Sequence, residues 1–248
     1  MNTLLSLKNV SLNYQTKNDE ITAIKDLSFD VYEGEFVSLI GPSGCGKTSV
    51  LSLIAGLLGV SSGEIVFNDK SEQNNIGYML QKDHLFPWLT IEKNVFLPLE
   101  IKKIKDVKYK EYARNLLDKY GLKEFKQKYP YQLSGGMRQR AGLIRTLSFS
   151  PRLLLLDEPF SALDYQTRLA VCDDVYSIIR QEKKTALLVT HDITEAISMS
   201  DRIIVLSERP AKVKNIHEIR IDAPTPLSRR EKPEFSKWFE TIYKELNK

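Results

Sequence analysis

The segment Gly41–Thr48 reads Gly-Pro-Ser-Gly-Cys-Gly-Lys-Thr and fits the phosphate-binding pattern G-x-x-x-x-G-K-[ST]. Its glycines let the backbone curl so that successive N–H groups converge on one anion. The apolar run Phe36–Ile40 predicts a strand before it, and Ser49–Ala55 predicts a helix whose N-terminus adds partial positive charge. The sequence therefore predicts a nucleoside triphosphate site. Its candidate ligands are Gly41, Ser43, Gly44, Cys45 through its backbone N–H, Gly46, Lys47, Thr48 and Ser49.

An acidic pair follows another apolar run. Leu153–Leu156 predicts a buried strand, and Asp157 and Glu158 come directly after it. Ligands of open α/β sheets bind at the carboxyl ends of the strands, so these carboxylates are expected beside the phosphate loop. We expect Lys47 to contact the β- and γ-phosphates, and Thr48 and Asp157 to bind Mg²⁺. Glu158 is placed to orient or deprotonate the attacking water, so the predicted reaction is Mg²⁺-dependent hydrolysis of ATP.

Between these motifs the chain reads Leu133-Ser-Gly-Gly-Met-Arg-Gln-Arg140. This segment resembles the LSGGQ-like signature of the ABC-type ATPases, with Met137 in place of the common glutamine. Physically it is a second anion cradle, because a serine hydroxyl and glycine N–H groups open a helix. The resemblance implies that Ser134, Gly135 and Gly136 close over ATP held by a second copy of the chain, so that two nucleotides are sandwiched in a head-to-tail dimer.

Other positions are similar to the same family. Gln81, after the apolar run Ile76–Leu80, resembles the glutamine that senses Mg²⁺ and the attacking water. His191 resembles the switch histidine that contacts the γ-phosphate, and Asp164 resembles the aspartate that contacts the opposite subunit. Tyr14 falls where the family places an aromatic ring on adenine, although a surface tyrosine of a hairpin fits this position equally well. The resemblance extends from Leu4 to about Ile221.

The order of elements predicts an α/β fold. Little strand signal occurs between Thr90 and Leu147, and the spacing over Asp106–Tyr120 is helical, so a mostly helical subdomain at about 90–148 is expected inside an α/β core. The resemblance implies a P-loop NTPase (RecA-like) core with an antiparallel β subdomain, all within residues 1–222. The predicted strands include Leu4–Leu7, Leu27–Val31, Phe36–Ile40, Ile65–Phe67, Ile76–Leu80, Leu153–Leu156, Ala186–Val189 and Ile203–Leu206.

Residues 223–248 have a different character. Ala223-Pro-Thr-Pro226 breaks the chain, and the apolar residues after it fall at helical spacing, which predicts a terminal amphipathic helix. Its apolar face either docks on the protein's own core or serves a membrane surface or a partner. The residues of that face are Phe235, Trp238, Phe239, Ile242, Tyr243 and Leu246.

Composition excludes several classes of protein. The 248 residues are 42% hydrophobic and 27% charged, and the net charge of +4 gives no case for nucleic acid as a partner. Two cysteines are too few for a disulfide framework, which favours a reducing compartment. Neither a signal peptide nor a membrane span is predicted, because the apolar runs are only long enough for strands. We expect a peripheral protein at the cytoplasmic face of the membrane.

The segment Gln81–Val95, with Phe86-Pro-Trp-Leu-Thr90 inside it, resembles the nitrate/sulfonate/taurine branch of ABC importers. The resemblance implies that Phe86, Pro87 and Trp88 form an apolar surface for separate membrane permease subunits, which in turn meet an external solute-binding protein. Burial of Trp88 inside the helical subdomain is the alternative. An exporter or lipoprotein-release ATPase and a soluble non-transport machine are the competing functions, although the stretch between Lys47 and Ser134 is too short for a long coiled coil. A subunit of this kind does not touch the solute, so its sequence does not identify the cargo.

Overall fold

Two β-sheets organise the protein in the computed structural model, which describes residues 2–15, 19–69, 75–81 and 83–247. A six-stranded sheet has the order β5-β6-β7-β3-β8-β9, and a three-stranded antiparallel sheet has the order β2-β1-β4. The strands are β1 (Thr3–Gln15), β2 (Glu20–Tyr32), β3 (Phe36–Ile40), β4 (Ser62–Phe67), β5 (Ile76–Met79), β6 (Leu153–Asp157), β7 (Thr185–Val189), β8 (Arg202–Leu206) and β9 (Val213–Glu218).

The large sheet is parallel except for its last strand, β9, which runs antiparallel to β8. Strands β3, β6 and β7 are buried at every position, as expected for parallel strands that are covered on both faces. The mixed architecture confirms the predicted P-loop fold with its antiparallel β subdomain. Strand β9 was not predicted, because its sequence Val-Lys-Asn-Ile-His-Glu is mostly exposed at the sheet edge and lacks an apolar run.

The helices divide between the two faces of the large sheet and a layer inserted between β5 and β6. That inserted layer contains α2, α3 and α4 and two single 3₁₀ turns, and its apolar sides join one core that includes Val95, Leu116 and Ile144. The helices are α1 (Lys47–Ile54), α2 (Ile91–Ile101), α3 (Val107–Lys119), α4 (Gly135–Leu147), α5 (Tyr165–Gln181), α6 (Ile193–Met199), α7 (Pro226–Arg230) and α8 (Pro233–Leu246).

Helix α8 is the terminal amphipathic helix expected from the spacing of its apolar residues. Ile242 is fully buried in a cluster with Ala196 and Ile197 of α6, and part of the remaining apolar face packs against the same cluster. Phe239 and Tyr243 instead stack on each other at the surface, with ring centres 6.0 Å apart. The helix therefore docks on the protein's own core and leaves two aromatic rings exposed. The boundary at residues 222 and 223 stays a prediction.

No helix in the described ranges is both long enough and apolar enough to cross a membrane.

Candidate nucleotide-binding site

The order of the strands brings three separate sequence motifs to one edge of the large sheet. The neighbours β6, β7 and β3 run parallel, so their carboxyl ends lie side by side. The phosphate loop follows β3, His191 follows β7, and Asp157 ends β6. The phosphate loop, His191 and Glu158, which follows Asp157, border a cavity of about 530 Å³. Its lining residues are Ser43, Gly44, Gly46, Lys47, Thr48, Ser49, Glu158 and His191.

The phosphate loop has a backbone that suits an anion. Gly44 and Gly46 have φ angles of 73° and 120°, a region that side-chain-bearing residues rarely occupy. Helix α1 starts at Lys47 and no side chain of the described residues caps it, so its first N–H groups and their partial positive charge are available to an anion at the loop. The ammonium of Lys47 donates to the carbonyls of Gly41 at 2.8 Å and Pro42 at 2.9 Å. This loop has the chemistry of a phosphate cradle.

Cys45 contributes only its backbone to this loop. Its side chain is buried beneath the loop, and burial raises the pKa of the thiol. A Cβ added at Gly41 would lie 3.0 Å from the Cys45 Sγ, so the sulfur fills the space that this glycine leaves. The thiol therefore packs in the core beneath the loop rather than facing the phosphate cavity.

Oxygen donors suitable for Mg²⁺ meet at Asp157. The Thr48 hydroxyl donates to Asp157 Oδ1 at 3.2 Å, and the Tyr78 hydroxyl donates to Oδ2 at 3.4 Å. Burial raises the pKa of Asp157, and the nearby charge of Glu158 adds to this rise. A bound cation would stabilise the ionised form of this buried carboxylate. Hydroxyl and carboxylate oxygens are hard ligands of the kind that Mg²⁺ prefers, so this site fits the metal. Sequence reasoning missed Tyr78, because its contact depends on β5 lying beside β6.

Glu158 and His191 meet across the cavity, with 3.1 Å between Glu158 Oε2 and His191 Nδ1. Because a carboxylate only accepts, Nδ1 carries the hydrogen and Nε2 can face another group. Glu158 has a φ angle of 44°, in the left-handed region that costs a residue with a side chain about 1–2 kcal/mol. Its N–H donates to Val189 O at 2.8 Å, which holds the turn in place. Such strain is typical of functional positions.

A network of polar side chains lies beside the loop that contains His191. The Thr190 hydroxyl donates to Glu195 Oε2 at 2.7 Å, and burial raises the pKa of Glu195 to about 7. Arg168 lies 3.5 Å from the Asp192 carboxylate and donates to the Leu163 carbonyl at 3.0 Å. Arg168 thus links the loop that contains Asp164 to the loop that contains His191. Sequence motifs gave no signal for this network, because Arg168 and the residues 190–195 lie on separate segments of the chain.

Two predicted site residues, Tyr14 and Gln81, are not among the residues that line the cavity. The Tyr14 hydroxyl is 3.0 Å from Ser49 Oγ, so the tyrosine sits on the first turn of α1 with its ring partly exposed. Gln81 is exposed just beyond β5 and is not among the residues that line the cavity. Lys82, which follows it, lies outside the described residues. Stacking of Tyr14 on adenine and metal contact by Gln81 stay predictions.

The signature residues lie apart from the phosphate loop of their own chain. The Ser134 hydroxyl accepts from the Met137 N–H and caps α4. A Cβ on Gly136 would lie 2.9 Å from the Val171 Cγ2, so a larger residue does not fit there. Gly135 borders a different cavity of about 300 Å³, whose other lining residues do not include the phosphate loop. Asp164 caps α5 by accepting from the Thr167 N–H at 3.0 Å.

The segment after Gln81 is exposed at its aromatic residues and anchored at its backbone. Trp88 is 69% exposed, and its ring centre lies 5.1 Å from that of Phe86, so burial of Trp88 in the helical subdomain is wrong. Arg145 of α4 donates to the carbonyls of Asp83 and His84, each at 2.7 Å. The helix that begins at the signature therefore holds the segment that carries the exposed rings.

This fold and site define a P-loop ATPase. The model of the ABC transporter family matches residues 24–161, and the chain belongs to that family as one of its ATP-binding ATPase subunits. The ATP-binding protein YtlC of Bacillus subtilis, named as an uncharacterized ABC transporter protein, is 47% identical over 98% of this chain and 95% of its own length.

Two further relatives carry a named cargo. An aliphatic sulfonates import ATP-binding protein, SsuB of Bacillus cereus, is 37% identical over 89% of this chain and 88% of its own length. A taurine import ATP-binding protein, TauB of Roseobacter denitrificans, is 38% identical over 84% of this chain and 80% of its own length. Sulfonate and taurine importers both belong to the nitrate/sulfonate/taurine branch that the segment after Gln81 resembles.

Among solved structures, the chain is similar to a bacterial ABC transporter cassette, MJ0796, in a dimeric form. The TM-score is 0.72 at 33% identity, with 88% of this chain and 99% of the cassette covered. A second dimeric structure of MJ0796, in a post-hydrolysis state bound to ADP and Pi, has a TM-score of 0.71 at 31% identity and covers 88% and 99% of the two chains.

Proposed function

We propose that this ATPase powers the import of a small solute of the nitrate, sulfonate or taurine type through separate membrane permease subunits. The observation that carries the proposal is the exposed pair Phe86 and Trp88, which follows Gln81 and is anchored to α4. Exposed aromatic residues are enriched where proteins bind each other. The likeness to SsuB and TauB, which are named as import proteins, supports the same branch.

The catalytic unit in this proposal is a head-to-tail dimer of two identical chains. The phosphate loop and the signature border different cavities within one chain, so each is half of a site that a second copy completes. The dimeric MJ0796 structures support this arrangement. Ser134, Gly135 and Gly136 would face the ATP held by the partner's phosphate loop, and Asp164 would contact the opposite subunit.

Within one such site, each side chain has a distinct task. The loop N–H groups and Lys47 would bind the phosphates. Thr48, Asp157 and Gln81 would hold Mg²⁺, with Tyr78 orienting the Asp157 carboxylate, and the metal would supply positive charge beside the phosphate oxygens. Glu158 accepts a proton from the attacking water, His191 contacts the γ-phosphate, and Tyr14 stacks on adenine. Loss of phosphate removes the anion that both cradles bind, so the dimer opens and moves the helical layer.

This function places the protein at the cytoplasmic face of the membrane, held there by the permease. A solute-binding protein outside would reach it only through that permease. An exporter or lipoprotein-release ATPase is the second candidate, and a soluble machine is the third. Neither is favoured by a specific contact among the described residues. The other subunits recognise the cargo in this proposal, so identifying the cargo requires those subunits.

Copurification tests the proposal. A tagged chain extracted from membranes of its own source with mild detergent should recover a multi-span protein, and the double variant Phe86→Ser/Trp88→Ser should lose it while keeping its ATPase activity. The matched control is Tyr131→Ser, which removes another exposed aromatic residue from the helical layer. Recovery of a soluble complex without a multi-span protein, or equal recovery by the double variant, would contradict the proposed coupling surface.

A further inference from the structure

The guanidinium of Arg229 lies inside the protein, in the short helix α7 near the C-terminus. Only 7% of this residue is exposed. Its Nη1 donates to two backbone carbonyls, Ser198 at 3.3 Å and Ser200 at 2.8 Å. The guanidinium also lies over the ring of Tyr176 of α5, 5.6 Å from its centre. A buried cation is costly unless other groups compensate its charge, so the presence of this guanidinium inside the protein requires an explanation.

Both carbonyls belong to the carboxyl end of helix α6. Ser198 lies in its last turn and Ser200 is its C-cap, and both serines are fully buried. The last carbonyls of a helix lack partners within the helix, and water does not reach buried ones. A positive charge at this end also interacts favourably with the helix dipole. Arg229 therefore caps α6 from another part of the chain.

The opposite end of α6 follows the loop that contains His191, which we call the switch loop. His191 lies two residues before Ile193, where the helix starts, and Asp192 caps it by accepting from the N–H groups of Thr194 and Glu195. Helix α6 has only seven residues, and so short a helix is not stable by itself in water. Its position, and with it that of His191, depends on contacts with the rest of the protein.

The C-terminal segment supplies several of those contacts. Ile242 of α8 packs on Ala196 and Ile197 of α6. The N–H of Leu227 donates to Asp173 Oδ1 at 2.8 Å, which joins α7 to α5. Helix α5 begins at the loop of Asp164, so α7 is attached both to this helix and to α6, which begins after His191.

We propose that Arg229 is a positioning residue for His191: by capping the carboxyl end of α6, it holds the switch loop at the distance from Glu158 that hydrolysis requires. The C-terminal segment thus belongs to the working part of the ATPase. This inference rests on the proposed catalytic role of His191.

Variants of Arg229 test the inference when kcat and KM for ATP are measured in the full-length chain. Arg229→Met keeps much of the length of the side chain over Tyr176 but removes the donors, and Arg229→Lys keeps a charge and a donor. We expect Arg229→Met to lower kcat about tenfold with KM for ATP changed less than about twofold, and Arg229→Lys to recover part of kcat. The matched control is Arg220→Met, at an exposed arginine paired with Glu218.

Histidine NMR gives a readout that a merely structural role would not move. The chain has three histidines, His84, His191 and His217, so selectively labelled imidazoles give a spectrum that single substitutions assign. Arg229→Met should shift the His191 signal and leave that of His84 in place. If Arg229→Met is insoluble, the same comparison is made with Arg229→Lys. A His191 signal identical to that of the parent protein would overturn the inference.

A double substitution separates this inference from the proposed function. If Arg229 acts through His191, Arg229→Met should change the residual kcat of His191→Ala by less than about twofold. A full tenfold loss in that background would overturn the role of Arg229 alone. If His191→Ala by itself leaves kcat unchanged, the catalytic role of His191 is overturned, and this inference with it.

Discussion

The Nδ1 of His191 lies 3.1 Å from Oε2 of Glu158, although 32 residues of sequence separate the two strand ends that carry them. The contact exists because β6 and β7 are neighbours and both end at the cavity. Glu158 has a left-handed φ angle there, held by the bond to Val189 O. Two groups that the proposed mechanism uses are therefore in contact before any partner chain is considered.

His191→Ala should lower kcat for ATP by about 100-fold or more, because it removes a partner of Glu158 and, in the proposed mechanism, the contact with the γ-phosphate. KM for ATP should change little, since the phosphate loop is intact. Steady-state ATPase assays measure both constants. The control is His84→Asn, because asparagine tolerates the φ angle of 44° at this position and the bond from Arg145 uses the His84 backbone carbonyl. Equal activity in His191→Ala and the parent protein would contradict the assignment.

Tyr78→Phe should raise the Mg²⁺ concentration needed for half-maximal ATPase activity by about tenfold, within the range seen when a partner of a metal-ligating carboxylate is removed. Burial, followed by the charge of Asp157, raises the pKa of Tyr78 to about 12, so its hydroxyl remains a donor at neutral pH. Titration of Mg²⁺ at fixed ATP gives the value. Thr48→Val should have a larger effect, and Tyr109→Phe in α3 should have none. An unchanged Mg²⁺ requirement in Tyr78→Phe would exclude this role.

Stability should fall with rising pH because of Glu195. Burial raises its pKa from 4.5 in the unfolded chain to about 7 in the folded protein. Between these values the folded protein retains a proton that the unfolded chain has lost, so the free energy of unfolding decreases by up to about 3 kcal/mol as the pH rises. Glu195→Gln should remove this decrease. Urea unfolding at pH 5 and pH 8 measures it.

Glu182→Gln is the contrasting control for that experiment. Burial alone would raise the pKa of Glu182, but hydrogen bonds from Lys119 and Tyr120 outweigh it and lower the pKa below 4.5. The ionised form of Glu182 therefore contributes stability at neutral pH, and this contribution is lost as the pH falls through its folded pKa. Because the folded and unfolded pKa values of Glu182 both lie below pH 5, Glu182→Gln should keep the decrease in stability between pH 5 and pH 8, whereas Glu195→Gln should remove it. A Glu195→Gln variant with the same pH dependence as the parent would contradict the prediction.

The parts of this site that follow from sequence are those encoded by adjacent residues. The phosphate loop is a strand, a glycine-rich turn and a helix in succession, and Leu153–Leu156 followed by Asp157 is a buried strand with its ligand at the end. Each is fixed by local chain geometry, so the pattern alone predicts the chemistry. The exposed aromatic pair after Gln81 was also predicted from adjacent residues, through their resemblance to a family motif.

The parts that sequence did not reveal depend on which elements are neighbours. Tyr78 reaches Asp157 because β5 lies beside β6, and Arg229 reaches α6 because the chain returns there after β9. Strand β9 itself has polar residues at an edge, where no apolar pattern is required. Such contacts join residues tens of positions apart, and no local pattern in one sequence encodes their pairing.

One chain should hold only half of each catalytic site, and light scattering of the Glu158→Gln variant measures whether a second copy completes it. This variant should bind ATP and hydrolyse it at least 100-fold more slowly, so the closed state should accumulate. It should be a monomer without nucleotide, a dimer with ATP, and a monomer again when Ser134→Arg is added to block the signature. A Glu158→Gln chain that stays monomeric in saturating ATP, or a dimer that survives Ser134→Arg, would contradict it.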